Sequence, residues 1–217
     1  MIEVLTNPDK FFEERLKREE NLKTPAFIVL LSGMTSGAIA FLSSLMTVGI
    51  LGGTLPPEAQ GFISVMLVGS AVGALVFAFI IWLVVAAILF GISALFNGEG
   101  SFKRTLEFIG YGYIPLVIGG IISAALTYHF FSTVELPTVT SPEEVADAIS
   151  ALMASPMMQL SSVIGMLFLL WAANLWVFGL KHARKLSIRD ALITVAIPVA
   201  VYVLYSVWKL ATLSSTL

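Results

Sequence analysis

AQGFISVMLVGSAVGALVFAFIIWLVVAAILFGISALFNG, residues 59–98, holds no Lys, Arg, Asp or Glu over forty consecutive positions. A helix rises ~1.5 Å per residue and needs ~20 apolar residues to cross the hydrocarbon core of a bilayer, so this stretch is longer than one crossing requires. Four more uncharged runs, 24–57, 108–134, 148–180 and 191–208, are each long enough for a crossing helix. The whole chain is 58% hydrophobic and 12% charged, with mean hydropathy +0.94. Soluble domains carry roughly 25% charged residues. The fold class that follows is all-α, a polytopic membrane helix bundle with five transmembrane helices.

The charges between the runs set the expected orientation. Residues 1–23 hold five basic residues (Lys10, Arg15, Lys17, Arg18, Lys23), and the link 54–61 holds none. Link 97–105 holds Lys103 and Arg104, while 132–155 carries Glu135, Glu143, Glu144 and Asp147 with no base. The last link brings Lys181, Arg184, Lys185 and Arg189, and Lys209 is the one base beyond the final run. Basic links stay inside, which places the N-terminus in the cytoplasm and the C-terminus outside the cell membrane. The same alternation makes 62–95 one long tilted helix, since a hairpin would move two basic links outside. The expected spans are 25–48, 62–95, 109–131, 157–180 and 189–210. Residues 1–24 form a charged cytoplasmic segment, 25–213 the membrane domain and 214–217 an outer tail. The first segment is too charged for a cleaved signal peptide, so the first span is expected to be retained.

Local signals fill in the links. Asn7 before Pro8 reads as a helix cap with proline at the first helical position, opening a cytoplasmic helix with i,i+4 pairs such as Glu13/Lys17. Its apolar edge, Phe11, Phe12 and Leu16, suits either headgroups or the bundle. Ser141, Pro142 and Glu144 form a capping box ahead of Val145, Ile149, Leu152 and Met153 on one face, so an outer amphipathic helix is expected over about 142–155. Gly33/Gly37, Gly49/Gly53 and Gly69/Gly73 have the spacing that lets helices approach closely, within one subunit or between copies in a homo-oligomer.

Little in the runs does chemistry. The absence of cysteine rules out disulfides, thiolate metal sites and thiol catalysis. No Ser/His/Asp constellation, HExxH or phosphate-cradling glycine loop occurs, so no catalytic residue, cofactor or metal site is expected and the protein reads as no enzyme. A net charge of −2 gives no reason for a nucleic-acid partner. Glu107 is expected to pair with Lys103 or Arg104 at the membrane edge, His129 to lie at the interface, and Asn174 to hydrogen-bond between helices. Trp171, Trp176, Trp208, Tyr202 and Tyr205 suit interface anchoring or packing.

The densest unusual segment is 97–115, NGEGSFKRTLEFIGYGYIP. Gly98 and Gly100 make a turn, Ser101 caps a new helix, and Gly110, Gly112 and Pro115 interrupt the run, because proline cannot donate to the helix ladder. The expectation is a short helix at the cytoplasmic interface, a break at Gly110, Tyr111 and Pro115 that acts as a hinge or a simple kink, and a shortened span. Lys103, Arg104, Lys181, Arg184 and Lys185 share one side and form either a surface for anionic lipid or a protein partner, or only the charge that keeps these links inside.

These residues carry a family resemblance over nearly the whole chain: Asn7-Pro8 to Phe12, Gly98 to Gly100 with Phe102, Gly110-Tyr111 with Pro115, and the basic link LKHARKLSIRDA at 180–191. The sequence resembles the Yip family, the Ypt/Rab-interacting five-span membrane proteins, in a prokaryotic-type form. The resemblance implies a nonenzymatic protein with a cytoplasmic N-terminus, a scaffold or adaptor in membrane organisation or trafficking, with membrane lipids and a cytoplasmic protein as partners. The acidic Asp-Leu-Tyr-Gly-Pro motif of eukaryotic members is missing, which argues against a direct Rab-type GTPase partner. A small transporter or lipid-translocating protein is the alternative, and a polar groove lined by Asn174, Tyr111 and Tyr113 is the feature that would favour it.

Overall fold

The computed structural model describes residues 2–51, 60–137, 139 and 142–214. Among them lie α1 (Ile2–Thr6), α2 (Pro8–Leu16), α3 (Lys23–Leu51), α4 (Gln60–Ala94), α5 (Phe102–Tyr111), α6 (Ile114–Thr133), α7 (Pro142–Met153), α8 (Pro156–Ala183) and α9 (Ile188–Ser214). Five helical stretches are long and apolar enough to cross a membrane, with α5 and α6 together forming the third. The run at 59–98 forms one continuous helix of 35 residues, α4, not a hairpin. At ~1.5 Å per residue it exceeds a bilayer core and must tilt or project.

Caps lie where side-chain chemistry favours them. The Asn7 side chain accepts the backbone N–H of Lys10, Ser101 that of Arg104, and Ser155 that of Met158. Each satisfies one of the four amides that a helix start leaves unpaired. Of the capping box expected before α7, Ser141 lies outside the described residues. The helix α7 itself closes the end of the bundle opposite α2, where Val145 joins Met46, Ile50 and Val139 in a small apolar cluster.

In the bundle α3 lies between α4 and α6, α6 packs on α8, and α8 on α9. Small residues set the close crossings. A Cβ on Gly37 would come within 2.9 Å of the Ala71 carbonyl oxygen, one on Gly33 within 3.2 Å of Ala78, and one on Gly119 within 2.6 Å of Phe168. Gly33/Gly37 therefore serves packing inside the subunit. Gly69 and Gly73 face open space, and Gly53 lies outside the described residues. The main core, including Val29, Trp82, Leu89, Phe108, Leu175, Leu180 and Val195, gathers toward the end that carries α2 and the basic links. That basic end is where the polar residues converge.

A candidate partner site at the basic end

The short helix α5 sits against α3, α4 and α8 at the basic end. Arg104, Thr105 and every residue from Glu107 to Tyr111 are buried, so α5 is enclosed by its neighbours. Two indoles hold it. Trp82 of α4 donates Nε1–H to the Leu106 carbonyl (2.9 Å) and Trp176 of α8 donates to the Ile109 carbonyl (3.0 Å). Gly112 and Tyr113 then leave helical pairing, their N–H groups bonding to Ile109 and Gly110 three residues back (3.0 and 3.2 Å). Pro115 stands at the start of α6 without an N–H to reach Tyr111, which accounts for the tightened turn. The backbone there remains right-handed, with φ −66°, ψ −8° at Gly112 and φ −76°, ψ −9° at Tyr113. Conformational freedom is not what these glycines supply. A Cβ on Gly112 would collide with the Trp176 indole, and one on Gly110 would meet Pro25 at 2.6 Å.

Over α5 lies α2. Asp9, Phe12 and Arg15 follow one another at i,i+3 spacing and so share a face. Phe12 is fully buried, 4.9 Å centroid to centroid from Phe108, and Phe11 meets Tyr111 edge-on at 5.1 Å. Lys181 donates to the Asp9 carboxylate at 2.6 and 2.9 Å, and His182 Nε2 lies 2.7 Å from it. These hydrogen bonds, from Lys181 first and then His182, hold the Asp9 carboxyl below its ordinary value of 3.8. At the far end of the face Arg15 Nη2 reaches 2.5 Å from Oε1 of Glu107, and Arg104 Nη1 donates to Oε2 at 2.7 Å. Glu107 is fully buried, with the two arginine side chains only 11% and 10% exposed. The Arg15 contact is ionic but out of line, so Oε1 lacks a hydrogen bond among the described residues. Arg104 also donates to the Arg18 carbonyl (2.6 Å), and Ser101 donates to Glu20, so the segment leading to α3 is tied to the start of α5.

A second clamp joins the two basic links. Arg184 donates from Nε to Ser93 Oγ (2.9 Å) and from Nη1 and Nη2 to the Gly100 and Gly98 carbonyls, with its guanidinium 4.0 Å above the Phe90 ring. The Glu99 N–H returns a bond to the Arg184 carbonyl (2.9 Å). Gly100 has φ +115°, a backbone region only glycine enters freely, and it lies directly against the Ala183 carbonyl.

Comparison with known proteins bears on this arrangement as a whole, because the match takes in α1 and α2 as well as the spans. The family model of the Yip1 domain matches residues 2–210. The chain belongs to the Yip1 family. An uncharacterized protein of Methanocaldococcus jannaschii is 34% identical over 129 residues, covering 59% of this chain and 89% of that protein. No solved structure matches.

In this Yip1 domain the five basic residues of the expected surface separate into two classes. Arg104 and Arg184 are buried at 8% and 3% exposure and act as internal struts, which corrects their assignment to a lipid- or partner-facing surface. Their guanidinium forks find carbonyl and carboxylate acceptors inside the fold, and a planar five-donor group is suited to that role. Lys103 and Lys185 remain at the surface and Lys181 is half-buried, each beside an acid: Glu20 (3.8 Å), Glu99 (3.0 Å) and Asp9 respectively. Glu107 has the expected partner Arg104 and a second, Arg15, which the sequence reading missed. Of the expected hinge residues, Gly110, Tyr111 and Pro115 are all buried at the junction of α5 and α6.

Asn174, expected to bond between helices, is instead exposed beside an apolar groove of ≈ 550 Å³ between α8 and α9. Tyr113 packs on Trp176 and Tyr111 on Phe11, so these three residues do not line one groove. Trp176 is a packing residue, whereas Trp171, Tyr202, Tyr205 and Trp208 face outward. Among the described residues no cluster of His, Asp and Glu has the arrangement of a metal site.

Proposed function

We propose that this protein is a nonenzymatic scaffold or adaptor in membrane organisation or trafficking, presenting a preformed cytoplasmic cap built from α1, α2 and the two basic links. The observation that carries the reading is the burial of Phe12 and of the Arg15–Glu107–Arg104 triad, which fixes α2 on the bundle. A fixed helix presents its outer charges, among them Glu13, Glu14 and Lys17, in a constant pattern, lowering the ordering cost that a partner would otherwise meet on binding. Lys103, Lys181 and Lys185 each stand beside an acid, so the surface suits a partner of mixed charge better than a plain anionic layer. The basic end is read as cytoplasmic on the distribution of Lys and Arg.

The runner-up, lipid or solute translocation, has one observation in its favour: the α8/α9 groove with Asn174 at its side. Two measurements on the full chain separate the readings. Purification from native membranes in its parent cells should recover cytoplasmic proteins that a Glu13→Lys, Glu14→Lys, Lys17→Glu variant loses at unchanged stability. Proteoliposomes should show no dithionite-accessible scrambling of fluorescent lipid above empty vesicles. Scrambling in wild type, with identical recovery by wild type and variant, would replace the adaptor reading with the translocator.

A further inference from the structure

A second polar feature at the basic end borders the clamps described above. Between α2 and the start of α3 lies a cavity of ≈ 700 Å³, with Arg15, Arg18, Lys23, Thr24 and Tyr111 in its wall. Its charge is unbalanced. Arg15 is committed to Glu107, and of the two wall carboxylates Glu20 is engaged by Ser101, Lys103 and Arg104. Arg18 and Lys23 are exposed and form no ion pair among the described residues, leaving Glu19 as the one other carboxylate in the wall. Tyr111 is 93% buried by its 7% exposure, and its hydroxyl makes no hydrogen bond among the described residues. The start of α3 adds the Thr24 hydroxyl and the positive end of a 29-residue helix, where the Asn21 side-chain oxygen already accepts the Lys23 N–H (2.8 Å). The exposed Arg18 and Lys23 and the Thr24 and Tyr111 hydroxyls thus border the cavity with Glu19 as the one wall carboxylate not already engaged.

What stands below the cavity names the source of the anion. Lys23 and Thr24 open the uncharged run, so they lie at the depth where lipid phosphates sit beside a span. One helical turn further, Phe27 is 55% exposed, and Met34 and Phe41 repeat at seven-residue intervals with 55% and 37% exposure. Positions seven apart fall on one helix face, so an outward apolar stripe leads down from the cavity mouth. A phosphate on top of an apolar track is the shape of a phospholipid.

We propose that this cavity is a headgroup site for an anionic phospholipid, with Arg18 and Lys23 pairing with the phosphate, Thr24 and Tyr111 donating hydrogen bonds, and the acyl chains lying along Phe27, Met34 and Phe41. Such a lipid ties the first span to the segment that joins α2, and so holds the cap from the bilayer side. The site differs from the lysine surface and stands whether or not the adaptor reading does.

The test is native mass spectrometry of the full-length protein in detergent, with dioleoyl phosphatidylglycerol and dioleoyl phosphatidylcholine supplied in turn. Wild type should retain phosphatidylglycerol in preference, and Arg18→Gln and Lys23→Gln should each lower that retention about fivefold, with the double variant near the product, about 25-fold. Arg18→Lys should keep most of it, and Lys17→Gln, outside the cavity wall, should keep all of it. Because Arg18 and Lys23 are surface residues without a fold partner, unchanged melting of these variants separates lost binding from lost structure. Equal retention of the two lipids by wild type, or undiminished retention by the double variant, would overturn the site. Displacement of phosphatidylglycerol by millimolar inorganic phosphate would overturn the lipid assignment in favour of a free anion.

Discussion

Replacing Glu107 by Gln strips the buried carboxylate shared by two arginines that are about nine-tenths withdrawn from solvent, leaving Arg104 only its long contact to Glu20 (4.0 Å). The Glu107 contacts, 2.5 Å to Arg15 and 2.7 Å to Arg104, join α2 to α5, so the change acts on the seat of the cap. Removing one member of a buried ion pair costs about 3–5 kcal/mol, because the remaining charge is left in a poorly solvating interior. For a chain of this length each kcal/mol moves a melting temperature by about 2–4 °C, giving an expected loss of about 6–20 °C in detergent or nanodiscs. Trypsin cleavage after Arg18 should accelerate as well, since the Arg18 carbonyl is held by the same Arg104. Adding Arg15→Met and Arg104→Met to the Glu107→Gln chain should recover much of the loss, because the uncompensated charges are then gone. A single Glu107→Gln variant that melts within about 3 °C of wild type, with unchanged cleavage, would refute the triad as the anchor.

Four further outcomes are expected. Gly112→Ala should cost about 1–3 kcal/mol by driving a methyl into Trp176, whereas Gly73→Ala, facing open space on α4, should be neutral or slightly stabilising in the same thermal assay. Trp176→Phe should cost about 1 kcal/mol or somewhat more through loss of the indole bond to Ile109, and hydrogen exchange should rise first at the Gly112 and Tyr113 amides. The lowered carboxyl of Asp9 contributes stability that is complete above its ordinary value of 3.8 and is lost as pH falls through the lower folded value, so release of α2 below about pH 4 should weaken in Asp9→Asn. In sealed cells, Ser150→Cys on α7 should react with an impermeant maleimide from outside, and Ser187→Cys only after permeabilisation; the reverse would invert the orientation.

The five spans were legible because charge is expensive in hydrocarbon, so uncharged length alone marks a crossing helix. The unity of α4 was legible from the links on either side of it. Burial of charge in the links was not legible. Arg104 and Arg184 look the same in sequence whether they face water or a cage of carbonyls, and only the fold brings Ser93, Gly98 and Gly100 around Arg184. Asn174 misled for a related reason, since a single amide in an apolar run has no periodic partner to tell which face it lies on. The glycines near Tyr111 were read for backbone freedom when the structure uses their missing Cβ. One signal did exist for the missed partner of Glu107. Asp9, Phe12 and Arg15 lie in line on α2, and an acid, an aromatic ring and a base on one face correspond to Lys181, Phe108 and Glu107 in turn.

Docking of α2 on α8 can be measured directly, because the chain has no cysteine of its own. An Asp9→Cys, Lys181→Cys pair in the full-length protein, treated in native membranes with a short bismaleimide, should form an intramolecular cross-link in most molecules. The pair Glu14→Cys, Lys181→Cys, in which Glu14 lies on the exposed face of α2 about 140° around the helix from Asp9, should cross-link far less. Equal and low yields for both pairs, with each cysteine fully reactive toward a monofunctional maleimide, would mean that α2 does not rest on the bundle and that the preformed cap does not exist.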